Sequence, residues 1–276
     1  MNTTVVHDTH MAINLVHRVV YFVPEAAEEY AAAGVEGMGG YFASRVAPMG
    51  AVPDEVVIAT FYNFAPESVR SAMPGVWDAA SPVALQEARF RVVDRALDRM
   101  GAGLSAADIA EARSLIDPVV AGLDLAGKPL AAANASVTLP DDPLVALWQQ
   151  ITIVREWRGD VHIALLIANQ LGPCDCMVVS VGTGRSPIGV TRATRQWSDD
   201  EWSAAIGRLE ARGWVDRSGT MTAVGTAERD TLEAETDRLC APIWGPVGEA
   251  GAARVAELIL PIHQAVEAAG TYAALS

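Results

Sequence analysis

Lysine is almost absent from this chain of 276 residues, because Lys128 is the single lysine among 20 basic residues. This bias towards arginine fits a GC-rich genome and by itself indicates no function. Aromatic residues make up only 6% of the chain, whereas 51% of it is hydrophobic. Alanine supplies much of that share and is the strongest helix former, so the composition predicts a mostly α-helical fold with a sizeable core.

Cysteine is also scarce, with Cys174, Cys176 and Cys240 as the three examples. Three cysteines are too few for a disulfide framework, and the CDC stretch has no second cysteine pair with which to bind structural zinc. No charged-then-apolar signal segment opens the chain, and no apolar run has the length that a bilayer span needs. We therefore expect a cytoplasmic protein with no membrane partner.

Positive charge is in short supply as well, since 34 acidic residues face 20 basic ones and the net charge is −14. A protein gains affinity for nucleic acid largely when its cations replace the counterions of the phosphate backbone. The overall charge therefore disfavours nucleic acid as a partner at long range. A local cluster of arginines can reverse this, so their placement has to be considered.

Turn-forming residues are most concentrated between Gly122 and Pro143, where GKP and LPDDP occur. This segment predicts a boundary between two modules. The N-terminal module, residues 11–121, is expected to be helical, and the C-terminal module, residues 144–270, is expected to contain a winged helix.

Helix boundaries follow from periodicity and from turn formers. Residues 1–10 show no periodicity, so we expect the first helix to begin at Met11. In the second module, one helix is expected from Leu144 to about Arg158 and another from Val161, with the RGD stretch as a break between them.

The stretch WSDDEWSAAIGRLEARGWVDRSGTMTAVG has the signals of a helix followed by a hairpin. Ser198 and Glu201 have the spacing of a capping box, which predicts a helix from Asp199 to Arg212. Gly213 supplies the left-handed residue that ends such a helix. Two short extended pieces around Ser218-Gly219 then predict a small β-hairpin wing.

The two halves of the chain share an order of features. In each half a helix leads to a glycine corner, at Gly50 or Gly172, and then to a short apolar helix. A tryptophan, Trp77 or Trp197, follows 27 residues after the corner in one half and 25 residues after it in the other. A serine-capped helix comes next in both. This order predicts an internal duplication, with the N-terminal module as a degenerate winged-helix copy that has no wing.

Roughly residues 159–239 resemble the MarR class of winged-helix proteins. The resemblance lies in the order of the elements: a helix, a corner, a helix ending in RLEARGWV, a wing and a long helix TAERDTLEAETDRL. The whole chain resembles an actinobacterial family with such a unit in its C-terminal half, through YFVPE, ATFYNFAPE and RGDVHIALL. The MarR resemblance implies that the recognition helix enters the major groove of DNA and that arginines of the wing reach phosphates.

The first turn of the predicted recognition helix is acidic, with Asp199, Asp200 and Glu201. Carboxylates at this place satisfy free backbone amides and complement the helix dipole, which is their ordinary structural role. Facing phosphates, they oppose binding. DNA binding would need a local basic patch, for which the candidates are Arg185, Arg192, Arg195 and Arg217.

Two histidines, His17 and His162, lie on predicted helices among mostly apolar neighbours. If both face one pocket between the halves, they can act as acid and base, as metal or haem ligands, or as hydrogen-bond anchors. Each can equally be a hydrogen-bonded residue of the core. The other candidates for lining an apolar pocket with a few polar anchors are Tyr21, Tyr41, Tyr62, Asn63 and Trp148.

These observations favour a small-molecule-binding protein on a winged-helix scaffold that has lost DNA binding, with a small apolar molecule as its partner. Whether it also acts on that molecule as an enzyme stays open, with His17 and His162 as the catalytic candidates. The first alternative is a ligand-responsive transcriptional regulator of MarR type, with DNA as its partner. The second is a haem or metal protein that uses the two histidines. The sequence indicates no other cofactor and leaves both a monomer and a homodimer open.

Overall fold

The polypeptide folds into α-helices joined by short turns, and the computed structural model describes residues 2–271. Within these residues the first half contains α1 (Thr3–His17), α2 (Pro24–Ala32), α3 (Gly37–Val46), α4 (Asp54–Thr60), α5 (Pro66–Ala72), α6 (Val76–Ala79), α7 (Pro82–Arg99), α8 (Ala106–Ala121) and α9 (Pro129–Ala135). The second half contains α10 (Pro143–Ala168), α11 (Pro173–Gly182), α12 (Ile188–Arg195), α13 (Asp199–Ala211), α14 (Ala223–Cys240) and α15 (Gly248–Ala268). The predicted mostly α-helical fold is confirmed.

Helix α1 begins at Thr3, so the expectation that the first helix starts at Met11 is wrong. Asn2 caps the helix, because its side chain accepts a hydrogen bond from the backbone nitrogen of Thr4 at 2.9 Å. The helix packs along α15, and the ring of His10 lies edge to face with that of Trp244, with their centroids 5.8 Å apart. Contacts with the far end of the chain therefore stabilise a turn of helix that local periodicity does not indicate.

Helix α10 is continuous, so the break expected between Arg158 and Val161 is wrong. Asp160, in the RGD stretch, does not begin a new helix but caps another one. Its carboxylate accepts hydrogen bonds from the backbone nitrogens of Leu130 at 3.1 Å and Ala131 at 3.0 Å, and thereby caps α9. The turn-rich segment around α9 is thus held against the middle of the longest helix.

Within residues 2–271, no helix by itself has both the length and the apolar composition that crossing a membrane requires. Helices α10 and α11 reach both only when they are taken together, and they meet at a bend of 102°.

Buried apolar side chains form two cores. The larger core draws on helices from both halves and includes Phe42, Trp148 and Trp244, all essentially inaccessible to solvent. The smaller core lies among α11, α13 and α14 and includes Trp202 and Leu209. The modules 11–121 and 144–270 stay a prediction as folding units, and the larger core takes side chains from both of them.

Helices α11, α12 and α13 are the part of the chain that the sequence predicts as a helix-turn-helix unit, and they keep that name below; the predicted helix after Trp197 is confirmed. Ser198 Oγ accepts a hydrogen bond from the backbone nitrogen of Glu201 at 3.3 Å, and Glu201 Oε2 accepts one from the backbone nitrogen of Ser198 at 3.0 Å. Gly213 follows the helix with φ of 73°, the left-handed conformation that glycine adopts without strain. Local signals alone were sufficient for this element.

The predicted β-hairpin wing is wrong, because the described residues contain no strand and only one isolated bridge, between Val215 and Met221. The Asp216 carboxylate accepts hydrogen bonds from the backbone nitrogens of Ser218 at 2.8 Å and Thr220 at 3.0 Å, which closes a tight turn. Thr222 then caps α14 directly. Too few residues remain on either side of the turn to extend the ladder.

The helices follow the same order in both halves, as the repeat predicts. Helices α3, α4, α5 and α7 correspond in order to the end of α10, α11, α12 and α13, whereas α6 has no counterpart. Ser81 caps α7 as Ser198 caps α13. Order alone does not establish common descent of the halves, so the internal duplication stays a prediction.

Candidate ligand-binding cavity

A cavity of about 670 Å³ lies between the N-terminal half and the helix-turn-helix unit. Its walls come from the end of α1 and the turn after it, from α3, from the loop between α4 and α5, from the middle of α10, and from α11, α12 and α14. Cavities that hold drug-sized molecules have volumes of roughly 300–1,000 Å³. The size and the location between the halves therefore suit a small organic ligand.

Aromatic rings form one wall of the cavity. The ring centroids of Tyr21 and Tyr41 are 5.2 Å apart, and those of Tyr41 and Phe64 are 5.7 Å apart. Phe61 also lines this wall, and Tyr62 and Asn63 lie between it and Phe64 in the loop after α4. The planes of these ring pairs are tilted by 58° and 50°, so the wall presents ring faces and edges against which the apolar part of a ligand can pack.

A buried network of charged groups adjoins the aromatic wall. Arg45 donates to the hydroxyl of Tyr41 at 2.9 Å and to Glu156 Oε1 at 3.4 Å, and its guanidinium carbon lies 4.2 Å from the ring centroid of Phe61. Arg155 donates to the other oxygen of Glu156 at 2.5 Å. Burial opposes ionisation of Glu156, but the nearby arginines outweigh it and hold the pKa of this carboxyl below its usual value.

Arg195, at the end of α12, lies on the same wall. Its guanidinium carbon is 4.2 Å from the ring centroid of Phe64, a cation–π arrangement. Its backbone carbonyl accepts a hydrogen bond from the backbone nitrogen of Ala65 at 3.0 Å, so the helix end is tied to the loop after α4. Burial, together with the positive charge of Arg45, lowers the pKa of Arg195. The helix-turn-helix unit thus contributes a cation to the cavity.

His17 lies behind the cavity wall rather than on it. Its Nε2 shares a hydrogen bond of 2.7 Å with the hydroxyl of Tyr21, and its Nδ1 shares one of 3.0 Å with Thr152 Oγ1. Its ring stacks on Trp148, with centroids 5.8 Å apart and planes 6° apart. Burial lowers the pKa of His17 well below its ordinary value, so the imidazole is neutral at neutral pH. His17 therefore holds the hydroxyl of Tyr21 and orients this side chain, which lines the cavity.

His162 lines the cavity at its opposite end, and it does not meet His17. His17 contacts α10 at Thr152, ten positions before His162, which is about 15 Å along a helix. His162 Nδ1 shares a hydrogen bond of 3.0 Å with Thr236 Oγ1 of α14, and burial lowers its pKa to about 4. The structure therefore does not bring the two histidines together on one wall of the cavity, and a role for either in ligand binding stays a prediction.

The haem or metal alternative lacks a suitable group of ligands in the part of the chain that the structure describes. No three histidine, cysteine, aspartate or glutamate side chains come together there in an arrangement that can hold a metal ion. Both ring nitrogens of His17 are engaged with Tyr21 and Thr152, so neither is available to an iron or zinc ion. The histidines instead fit the hydrogen-bonding role.

Of the remaining residues that the sequence predicts to bind a ligand, most line the cavity wall and one lies in the core. Tyr62 donates its hydroxyl to the carbonyl of Leu171 at 2.7 Å, and burial raises the pKa of this phenol. The carbonyl of Asn63 accepts a hydrogen bond from Trp197 Nε1 at 3.1 Å. Both residues line the cavity, as does Tyr41, whereas Trp148 lies behind Tyr21 with His17. Tyr62 and Asn63 thus also join the N-terminal half to the helix-turn-helix unit.

Sequence reasoning missed the charged part of the site, namely Arg45, Arg155 and Glu156. A signal was available for Arg45, which is the one charged residue in the otherwise apolar helix GMGGYFASRV. Charged residues are almost never fully buried unless they are paired. Glu156 carried no such signal, because its partner Arg45 is 111 positions away.

The four arginines considered for DNA binding are engaged within the protein. Arg185 donates to Glu233 at 3.0 Å and Arg217 to Glu210 at 3.3 Å, and Arg192 donates to Asp199. Arg195 lies in the cavity. On α13, Arg208 donates to Asp175 at 2.6 Å. Three of the four candidate arginines are therefore paired with carboxylates, and the fourth, Arg195, lines the cavity.

These features define a class of protein: an all-helical chain in which a helix-turn-helix unit closes one side of an aromatic cavity. The chain belongs to a helix-turn-helix family, whose model matches residues 6–273. Comparisons with curated proteins and with solved structures found no match. The family match spans both halves of the chain, so it covers the cavity as well as the C-terminal unit.

Proposed function

We propose that this chain is a small-molecule-binding protein whose ligand occupies the cavity between the N-terminal half and the helix-turn-helix unit. The observation that carries the proposal is the aromatic wall of a cavity of about 670 Å³, beside which Arg45 and Glu156 are buried. An apolar surface with a few buried polar groups is the usual composition of a ligand site, because the apolar part supplies affinity and the polar groups supply orientation.

The same proposal holds that DNA binding has been lost. Asp199 and Asp200 are exposed at the start of α13, and the arginines nearest to them are paired with carboxylates. An exposed carboxylate facing phosphate reduces affinity, and a paired arginine must lose its partner before it can contact DNA. The charge of −14 acts in the same direction.

Two variants of α12 test whether ligands occupy the cavity. Thr194 lines it, whereas Ala193 is exposed on the same helix. In Thr194→Trp the indole occupies part of the cavity, so binding of the neutral dye N-phenyl-1-naphthylamine, measured by fluorescence titration, should be weakened. Ala193→Trp should bind the dye as the parent protein does. Equal binding of the dye by both variants would refute the proposal.

The natural ligand can be sought without a prior choice of compound. Native mass spectrometry of the protein purified from its own host should show a bound molecule of a few hundred daltons. The Thr194→Trp variant, purified in parallel, should carry less of it. If the mass also appears on that variant, the molecule is bound outside the cavity.

A ligand-responsive regulator is the second candidate, and the family match favours it. Because α11, α12 and α14 contribute to the cavity wall, a ligand there contacts the elements that would carry DNA binding. This candidate requires affinity for duplex DNA that changes when the cavity is filled. A titration of duplex DNA at low salt, with and without a cavity ligand, decides between the two.

A further inference from the structure

We infer that the ligand of this cavity is an organic anion, with a planar aromatic body against the tyrosine and phenylalanine rings and an acidic group at the guanidinium groups of Arg45 and Arg195. The inference rests on the proposed function, since it assigns a chemical class to the ligand of the same cavity.

The charge of the cavity wall is opposite to that of the whole protein. Among the described residues that line it, arginines number six and carboxylates three. The chain as a whole carries 34 acidic and 20 basic residues. A cationic interior within an acidic protein does not follow from composition, and it attracts an anion while the outer surface does not.

The two ends of the cavity differ in how far their arginines are paired. At the α14 end two carboxylates serve two arginines, because Glu233 accepts from Arg185 at 3.0 Å and from Arg229 at 3.3 Å, and Asp230 also accepts from Arg229 at 3.2 Å. At the aromatic end, Arg45 and Arg155 share the single carboxylate of Glu156. Within residues 2–271, Arg195 has no carboxylate at ion-pair distance. The uncompensated positive charge therefore lies beside the aromatic rings.

Arg45 and Arg195 lie on adjacent rings. The guanidinium carbon of Arg45 is 5.5 Å from the ring centroid of Tyr41, and that of Arg195 is 4.2 Å from the ring centroid of Phe64. The two ring centroids are 5.7 Å apart. Arg45 is only 7% exposed, and the Nε atoms of both arginines lack a hydrogen-bond partner among the described groups.

Buried cations with free N–H groups are costly unless an anion neutralises them. The planar guanidinium fork matches a carboxylate or sulfonate, which can accept two parallel hydrogen bonds. The rings of Tyr41 and Phe64 hold the apolar part of such a molecule next to its acidic group. An aromatic carboxylate or sulfonate satisfies both parts of the site, whereas a hydrocarbon leaves Arg195 without a counter-charge and Arg45 sharing Glu156 with Arg155.

A matched pair of dyes tests the inference. The anion 1-anilinonaphthalene-8-sulfonate and the neutral N-phenyl-1-naphthylamine share one aromatic skeleton. Fluorescence titration should show that the anion binds at least about tenfold more tightly, as expected for a charge-assisted hydrogen bond. 2-Naphthoate should displace the bound anion, and 2-naphthamide, its neutral counterpart, should not.

Variants of two arginines on α12 provide the control. Arg195→Gln should weaken binding of the anionic dye by roughly ten- to a hundredfold and leave the neutral dye unaffected. Arg192→Gln, three positions earlier and paired with Asp199, should leave both dyes unaffected. Circular dichroism checks that each variant retains its helix content.

The outcomes separate the two proposals. If both dyes bind equally well, or if Arg195→Gln changes neither affinity, the anion inference is overturned and the cavity remains a ligand site. If neither dye binds the parent protein, the proposed function fails together with it.

Discussion

The guanidinium of Arg192, near the end of α12, hydrogen-bonds the carboxylate of Asp199 in the first turn of α13. The contact joins two helices of the helix-turn-helix unit across their turn. The guanidinium carbon of Arg192 also lies 5.5 Å from the ring centroid of Trp202. An arginine placed to reach phosphate and a carboxylate that would repel phosphate therefore form an ion pair with each other at the protein surface.

Duplex DNA should not bind the parent protein in a salt-dependent manner, even at low ionic strength. The double substitution Asp199→Asn with Asp200→Asn removes two exposed carboxylates and releases Arg192, so it should confer weak, salt-sensitive binding. Fluorescence anisotropy of a labelled duplex measures this. The matched control is Asp94→Asn with Asp98→Asn on the exposed face of α7, which changes the net charge equally. Salt-sensitive binding by the parent protein that Arg192→Ala abolishes would instead support the regulator.

The capping box of α13 should contribute measurably to stability. Ser198→Ala removes the acceptor for the backbone nitrogen of Glu201 and should lower the free energy of unfolding by about 1 kcal/mol, measured by urea denaturation. Ser203→Ala, on the exposed face of the same helix, should change it by less than about 0.5 kcal/mol. Equal effects of the two substitutions would show that the cap is not needed.

Two helical glycines should respond in opposite directions to alanine. A Cβ at Gly225 would lie 2.0 Å from the carbonyl oxygen of Trp214, so Gly225→Ala must displace backbone and should cost about 1–3 kcal/mol or more. A Cβ at Gly207 meets nothing within 4 Å, and Gly207→Ala should stabilise α13 by about 0.5–1 kcal/mol. Thermal unfolding of the two variants distinguishes them, and a stable Gly225→Ala would contradict the close approach of α14 to Trp214.

Acid should destabilise the protein through His10. Trp244 Nε1 donates to His10 Nε2 at 3.3 Å, so this nitrogen must be unprotonated, and burial lowers the pKa of His10 from 6.5 to about 3. Between these values the unfolded chain binds a proton that the folded chain does not, so stability falls as pH decreases below 6.5. At pH 5 this amounts to about 2 kcal/mol.

The substitution His10→Gln tests that linkage. The loss of unfolding free energy between pH 7 and pH 5, measured by urea denaturation, should be about 2 kcal/mol smaller in the variant than in the parent protein. An identical loss in both proteins would assign the pH dependence to other groups, such as His162, whose pKa burial lowers to about 4.

Glu156 should be essential for stability because it compensates the buried cation Arg45 and its neighbour Arg155. Glu156→Gln leaves these guanidinium groups without a counter-charge and should cost about 3–5 kcal/mol. The control Glu257→Gln breaks an exposed pair with Arg254 and should cost less than about 1 kcal/mol. Chemical denaturation compares the two, and similar small losses would show that Glu156 is not the compensating charge.

The features predicted correctly from the sequence depend on residues close together in the chain. The helix from Asp199 and its capping box follow from a serine and a glutamate three positions apart. The wing was predicted from the same kind of signal, but Thr222 caps α14 directly after the turn, which leaves one isolated bridge and no strand among the described residues. The cap is itself local, so the early start of α14 is a signal that was available.

Other features depend on contacts that no local pattern contains. Helix α1 begins early because α15 covers it, and α10 continues through Gly159, where a break was expected. Tyr21, Tyr41, Tyr62 and Asn63 were identified as pocket residues and do line the cavity. His17 was selected with them but lies one layer behind, because Tyr21 stands between it and the cavity.

The sequence by itself determined a helical protein with a helix-turn-helix unit, because helix propensity, caps and the glycine stop act within a few residues. It also determined that the first turn of α13 is acidic. Only the tertiary structure decided the character of the cavity. Arg45 meets Glu156 across 111 positions, and Arg195 reaches Phe64 from the other half of the chain. Packing of distant helices removes these charges from water together, and electrostatic interactions between groups shielded from water are stronger.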